Sequence, residues 1–356
     1  MAKLIDLCSK GSSNIAQKDL AGCEGQYPIY GAAGFIKNVD FYHQDKPYIA
    51  IVKDGAGVGR VMKLPANSSV IGTMQYIIPN EGVNVSYLAY ALEHMNLAKY
   101  YLGAAIPHIY FKDYCNEELP AYTTKEQNNI AISLDKVTEL IALRKEQLAK
   151  LDQLVKSRFI ELFESVNYPV CRLGDVCSKI TDGTHKTPNY LDAGVTFISA
   201  KNIVNGELDF SDVKYISDQE YAEIQKRCQT EMGDILLSKS GSLGAPVIVK
   251  TTERIGLFES LAVIKYDRSK LLPAFLCEQL KSDRIQRQFK VGTKGVAIKH
   301  LHLGVIADTD IVVPPIEDQN AFAAFVEQTD KSKFDIQKSL EKLETLKKSL
   351  MQQYFG

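Results

Sequence analysis

Apolar positions along this chain follow two spacings, one marking long helices and the other mixed globular regions. From 126 to 163 the sequence contains no Pro or Gly, and strong helix formers fill its second half. Alternating steps of three and four residues select Leu134, Val137, Ile141, Arg144, Leu148, Leu151, Val155, Arg158 and Leu162, seven of the nine apolar. So narrow a stripe suits a coiled-coil seam better than a broad core-facing surface. Shifted by 192 residues, the same register gives Val326, Thr329, Lys333, Ile336, Leu340, Leu343, Lys347, Leu350 and Tyr354, six of them apolar. Neither stripe can be buried alone, so the two helices are expected to pair, each running roughly 50–60 Å. Two unrelated helices packed on separate domains are the alternative, and the shared register argues against it.

Between the helices the pattern is mixed. Segments 48–52, 76–78, 196–199 and 262–265 have strand character, and 85–102 and 271–289 have helical character. Glycine-bearing loops at 55–59, 183–189, 205–206 and 238–244 separate them. Regular strand–helix–strand alternation is absent, so the expected class is α+β rather than a doubly wound sheet.

The chain also repeats itself. Lys3-Leu4-Ile5-Asp6-Leu7-Cys8-Ser9-Lys10 resembles Arg172-Leu173-Gly174-Asp175-Val176-Cys177-Ser178-Lys179 at an offset of 169. Lys150-Leu151-Asp152-Gln153-Leu154-Val155-Lys156-Ser157 resembles Lys342-Leu343-Glu344-Thr345-Leu346-Lys347-Lys348-Ser349 at an offset of 192, which also lays Gln127 over Gln319 and Phe163 over Phe355. The offsets differ by 23, so the second globular half carries about that many extra residues. The expected organisation is a pseudo-twofold repeat: a globular domain over 1–122, a helix over 123–166, a second globular domain over 167–314 and a second helix over 315–356.

Composition narrows the function. At 356 residues the chain exceeds what one core usually serves. Hydrophobic residues at 45% and charged residues at 24% exclude wholesale disorder. Lys+Arg 42 against Asp+Glu 43 excludes a histone-like basic protein but leaves room for local basic faces. The start lacks the apolar core of a signal peptide, and no apolar run approaches membrane-spanning length, so a soluble cytoplasmic protein is expected. Cys8, Cys23, Cys115, Cys171, Cys177, Cys228 and Cys277 include no CxxC pair. Cys171/Cys177 and His300/His302 lack a second ligand pair, so inert cysteines and no metal are expected.

Catalytic motifs are missing where they would be sought. Asp54-Gly55-Ala56-Gly57-Val58-Gly59-Arg60 has the wrong glycine spacing for a dinucleotide loop and precedes a strand-like segment, so it reads as a hairpin. Ser238–Gly244 lacks the Gly-Lys-Ser/Thr ending of a P-loop. There is no Gly-x-Ser-x-Gly elbow and no His-Glu-x-x-His helix. The tandem Pro314-Pro315 follows Val313, not the Asn or Asp an amino-methyltransferase would place there. No reaction centre is expected.

What remains suits a polyanion. Residues 270–299 hold Lys281, Arg284, Arg287, Lys290, Lys294 and Lys299, a net excess of about five positive charges, spaced to meet successive phosphates. A solvated helix face would carry the same charges. Thr184, His185, Lys186, Lys201, Asn202, Lys239 and Ser240 offer loop donors for phosphates and base edges. In the first half, Tyr30, Lys37, Lys53, Arg60, His108 and Lys112 are weaker candidates, and His108 and His185 also fit ordinary loop histidines.

Taken together, these motifs resemble the specificity (S) subunit of Type I DNA restriction–modification systems. The similarity rests on Leu173-Gly174-Asp175-Val176-Cys177, Ile180-Thr181-Asp182-Gly183-Thr184-His185, Phe197-Ile198-Ser199-Ala200-Lys201-Asn202-Ile203, Gly233-Asp234-Ile235-Leu236-Leu237-Ser238-Lys239-Ser240-Gly241 and the helix entrance Val313-Pro314-Pro315-Ile316-Glu317-Asp318-Gln319. In the first half it rests on Tyr27-Pro28-Ile29-Tyr30-Gly31-Ala32 and Lys53-Asp54-Gly55-Ala56-Gly57, while Leu119-Pro120-Ala121-Tyr122 departs from the usual entrance by having one proline. The resemblance implies two target recognition domains, each reading half of an asymmetric bipartite duplex target, and two helices paired as an antiparallel coiled coil that sets the spacer. It also implies a non-catalytic chain without cofactors. S-adenosylmethionine would sit on two modification subunits that methylate adenine, and ATP and Mg²⁺ on a restriction/translocase subunit. A coiled-coil scaffold, a DNA-binding protein outside a restriction system, or a lone nuclease or methyltransferase are the rival readings.

Overall fold

Alternating apolar residues in each half of the chain build the same pair of small sheets. The computed structural model describes residues 1–101, 107–293 and 300–356. It divides into two units, the first of residues 1–147 and 336–356 and the second of 148–335.

In the first unit a four-stranded antiparallel sheet runs in the order Cys8–Ser12, Met74–Pro79, Tyr48–Val52, Val61–Leu64. Tyr48–Val52 is buried along its whole length, with Ile49 and Ile51 facing one apolar cluster and Tyr48, Ala50 and Val52 another, the period-two alternation of a sheet covered on both faces. A three-stranded sheet joins Gly34–Val39 antiparallel to Tyr27–Gly31 and Tyr27–Gly31 parallel to Ser69–Val70. The helix expected over 85–102 is shorter. It spans Val85–His94, and Asn96 turns left-handed (φ 50°) before a 3₁₀ turn, Leu97–Tyr100, a conformation Asn tolerates better than most residues.

The second unit repeats this order. Its four-stranded sheet runs Cys177–Asp182, Leu261–Tyr266, Ile235–Ser238, Pro246–Ile248, and its three-stranded sheet Lys214–Ile216, Val195–Ile198, Ile255–Leu257, again with one parallel pair. Much of the extra length lies in two places. A small hairpin, Ile203–Val204 with Glu207–Leu208, turns through left-handed Asn205 and Gly206. A helix, Asp218–Arg227, is capped by Ser217, whose hydroxyl accepts from the Glu220 N–H at 3.1 Å. The helix expected over 271–289 is two helices, Pro273–Lys281 and Asp283–Gly292, because Ser282 is extended and caps the second.

The long helices span Thr124–Phe159, closed by a π turn at Ile160–Glu164, and Ile316–Phe355. They pair antiparallel within each unit. In the first, Ile130, Ala131 and Leu134 cluster with Leu350, Met351 and Tyr354, and Lys145 meets Glu344 at 2.9 Å. In the second, Val155, Phe159 and Phe163 cluster with Phe322 and Val326, and Asp152 meets Lys333 at 2.6 Å. Among the seam positions, Leu134, Val137, Val155, Val326 and Leu340 are buried, while Ile141, Leu148, Leu151, Leu162, Ile336, Leu343 and Leu350 are half-buried. The end of the first helix corrects the periodic reading: Phe159 and Phe163 take the buried places expected of Arg158 and Leu162. There the helix packs aromatic rings against Phe275, with centroids 5.7 and 4.8 Å away, and its apolar step becomes four residues. No described helix is long and apolar enough to cross a membrane.

Candidate nucleic-acid interface

In the first unit, the chain leaves the buried strand Tyr48–Val52 at Lys53 and loops to Val61. Gly59 is left-handed here (φ 85°), and a Cβ on it would lie 2.6 Å from the Ala98 backbone nitrogen, so only glycine lets the loop press this close. The segment carrying His108 crosses beneath: the Gly55 N–H donates to the Pro107 carbonyl at 2.9 Å and the Ile109 N–H to the Lys53 carbonyl at 3.0 Å. Asp54 pairs with Lys53 at 2.9 Å and with the His108 Nδ1. Burial, and then the Lys53 charge, hold the His108 pKa below the usual histidine value.

The patch extends in both directions. The His108 ring lies 4.1 Å from that of Tyr110, and the Lys112 ammonium 5.3 Å from the Tyr110 ring. On the other side Arg60 donates to the Ala32 carbonyl at 2.9 Å, at the tip of a hairpin where Tyr30 meets Phe35 edge to face at 6.1 Å. The structure thus links Lys53, His108 and Lys112 through Asp54 and Tyr110, and sets Arg60 and Tyr30 at the neighbouring hairpin tip through Ala32 and Phe35. Lys37 does not join them; its ammonium donates to the Leu20 carbonyl at 3.3 Å. Sequence reading missed Phe35 and Tyr110, which are 60% and 47% exposed.

Lys239 occupies the matching place in the second unit. Its N–H donates to the Ser260 carbonyl and its carbonyl accepts from Leu301, as Lys53 bonds Thr73 and Ile109. His300 therefore corresponds to His108. Here the structure corrects an expectation: Lys239 is only 3% exposed and cannot reach DNA, because its ammonium is spent on the buried carboxylate of Asp182. Arg227 shares that carboxylate, and His185 lies 3.3 Å from it. Burial alone would raise the Asp182 pKa, but the Lys239 hydrogen bond and charge, with Arg227 and His185, hold it below the ordinary carboxylate value. Glu259 lies 3.6 Å from His300 and 4.0 Å from both His185 and Lys239.

Asn202 is a second correction. It is buried, with its amide committed to the Ser199 N–H and to the Asp209 and Asp212 carbonyls at 3.0–3.1 Å. Lys201 is exposed but pairs with Asp212 at 2.8 Å. The Thr184 hydroxyl closes a turn with Lys186, and the Ser240 carbonyl accepts from the Ser238 hydroxyl. On Asp283–Gly292, Arg287 and Lys290 are exposed and Arg284 half-buried, while Ile285 and Phe289 anchor the buried face. Lys294 and Lys299 lie outside the described residues. All seven cysteines are free, and burial pushes the thiols of Cys8, Cys177 and Cys228 up to about 12 and that of Cys277 to about 11. Thiols held there stay protonated and unreactive at neutral pH.

Comparison with known proteins matches residues 1–153 and 165–348 to the family described as Type I restriction modification DNA specificity domain. The chain is 27% identical over 167 residues to the Type I restriction enzyme EcoBI specificity subunit of Escherichia coli, covering 46% of this chain and 35% of that protein. It is 21% identical over 328 residues to the Type I restriction enzyme MjaVIII specificity subunit of Methanocaldococcus jannaschii, covering 85% and 77%. The match thus spans about a third of the first relative and most of the second. The crystal structure of a Type-I restriction-modification system S subunit from M. genitalium shares the fold, with a TM-score of 0.63 at 16% identity over 100% of this chain and 95% of that one.

Proposed function

This chain belongs to the Type I restriction modification DNA specificity family, and from that membership we propose that its two globular parts each read one half of an asymmetric, bipartite duplex target. One observation carries the reading. The same strand order occurs twice, yet the outward corners differ: Lys53, Asp54 and His108 in one, and in the other His185, Arg227, Glu259 and His300 over the buried Lys239–Asp182 pair. A duplicated framework with unlike surface chemistry suits two different half-sites, since identical readers would select a palindrome.

The paired helices act as the spacer that fixes the number of unread base pairs. Their exposed faces serve two modification subunits, which bring S-adenosylmethionine and methylate adenine N6. A restriction/translocase subunit using ATP and Mg²⁺ completes the complex. Extruding a base costs a few kcal/mol, and this chain contributes by gripping the duplex on either side of the reacting base. Cationic side chains on both parts meet phosphates and set register, while loop side chains meet base edges.

Co-expression with a tagged modification subunit, followed by methylome sequencing, tests the proposal. One methylated motif with two unlike halves around a fixed spacer is expected. A palindromic motif, or no modified adenine, contradicts it.

A further inference from the structure

We propose that Phe35 is a base-reading residue: the tip of the hairpin formed by Tyr27–Gly31 and Gly34–Val39 enters the major groove and lays the Phe35 ring against thymine methyl groups. The inference rests on the DNA-reading function above and assigns a residue to it.

Phe35 is 60% exposed in a strand whose Val39 is fully buried. A register shift between Ile29 and Tyr30 and a left-handed Gly34 (φ 113°) form the tip, so the ring stands out by construction of the turn. Tyr30 supports it edge to face from the facing strand. Arg60 clamps the tip through the Ala32 carbonyl and leaves an exposed guanidinium beside it. From Arg60 the surface continues through the loop to Lys53 and then, past His108 and Tyr110, to Lys112.

These neighbours decide the occupant. An apolar partner surface would call for apolar surroundings, whereas here two exposed rings, Phe35 and Tyr110, stand along a strip with Arg60, Lys53 and Lys112, its one carboxylate, Asp54, being taken up by Lys53 and His108. That is the complement of a groove whose walls are phosphate and whose floor is base edges. The major groove admits a two-stranded β-ribbon, and the thymine C5 methyl is the apolar feature displayed there.

The test uses the assembled complex of this chain with its modification subunit, on a duplex carrying the methylated motif. Thymines are replaced one at a time by deoxyuracil, which removes only the methyl. Wild type is expected to lose about fourfold in affinity at one or more positions of a single half-site, the worth of one buried methyl-sized group. Phe35→Ala is expected to bind thymine and uracil duplexes alike, and its methylated motif to relax at the same positions. Arg60→Gln, which removes a cation and the clamp on the tip, is expected to weaken all duplexes and to reduce, not abolish, the discrimination between thymine and uracil. The ring is exposed, so Phe35→Ala should unfold at the wild-type midpoint. Equal uracil discrimination by wild type and Phe35→Ala, or relaxation in both half-sites, overturns the assignment. A wild-type complex that retains no sequence-specific duplex overturns both the assignment and the function beneath it.

Discussion

The side-chain carbonyl of Gln127 accepts the Asn84 N–H at 3.0 Å, and Gln319 accepts the Leu272 N–H at 2.9 Å. Asn84 and Leu272 are the residues just before the matching helices Val85–His94 and Pro273–Lys281. Each glutamine also donates to the chain entering its own long helix, at the Tyr122 and Pro314 carbonyls. One buried amide thus ties a long helix to a globular helix in each unit, and the repeat seen in the sequence is a repeat of this joint.

Gln319→Ala is expected to cost about 1–3 kcal/mol, the penalty for leaving buried groups unsatisfied. Gln127→Ala should cost less, because Gln127 makes two such bonds against three for Gln319. Hydrogen exchange reads this locally, with faster exchange at Leu272 in the first variant and at Asn84 in the second.

The ion pair of Lys239 with Asp182 gives an acid-dependent prediction. Both side chains are 3% exposed, so Lys239→Met leaves the buried carboxylate to the exposed Arg227 and His185 alone and is expected to cost up to about 3–5 kcal/mol at neutral pH. The Asp182 pKa is depressed in the folded state. Its stabilisation is therefore present above the unfolded carboxylate pKa of about 3.9 and is lost as pH falls through the lower folded value. Urea unfolding across this acid range should show that loss in wild type and a flatter profile in Lys239→Met.

Phe163 and Phe355 occupy equivalent places unequally. Phe163 is 1% exposed among Phe159, Phe275 and Phe322, whereas Phe355 is half-buried against Tyr87. Phe163→Ala is expected to lose about 3–5 kcal/mol and Phe355→Ala distinctly less, measured by chemical denaturation of the full chain.

The exposed cations of Asp283–Gly292 test the phosphate reading. Replacing Arg287 and Lys290 with Gln should weaken DNA binding by the complex equally across sequences. The dependence of log affinity on log salt should become shallower by roughly 0.9 per lost contact. The methylated motif should not change; a changed motif would make these residues base readers.

The helical seam was legible because it depends on local spacing, and Gln127, Gln319, Phe163 and Phe355 were legible as paired positions because duplication preserved their neighbours. Lys239 was not. Its loop-like surroundings, Ser238 and Ser240-Gly241, hid that Asp182, 57 residues away, would meet it across the sheet. Asn202 misled similarly, since its partners Asp209 and Asp212 are fixed by an inserted hairpin region. Phe35 carried no signal in the sequence, because the register shift beside Tyr30 that accompanies its outward position is set by the turn. Phe159 displaced Arg158 because rings packed against Phe275 outweigh a strict heptad.

The spacer claim is tested most directly by excising one matched heptad from the paired helices, residues 141–147 with 340–346, and sequencing the methylome. Seven residues remove about 10 Å of helix, the rise of about three base pairs. Both half-sites should stay as they are in any motif that remains methylated, while the spacer shortens or methylation is lost. Methylation of the original motif with its original spacer would contradict the account.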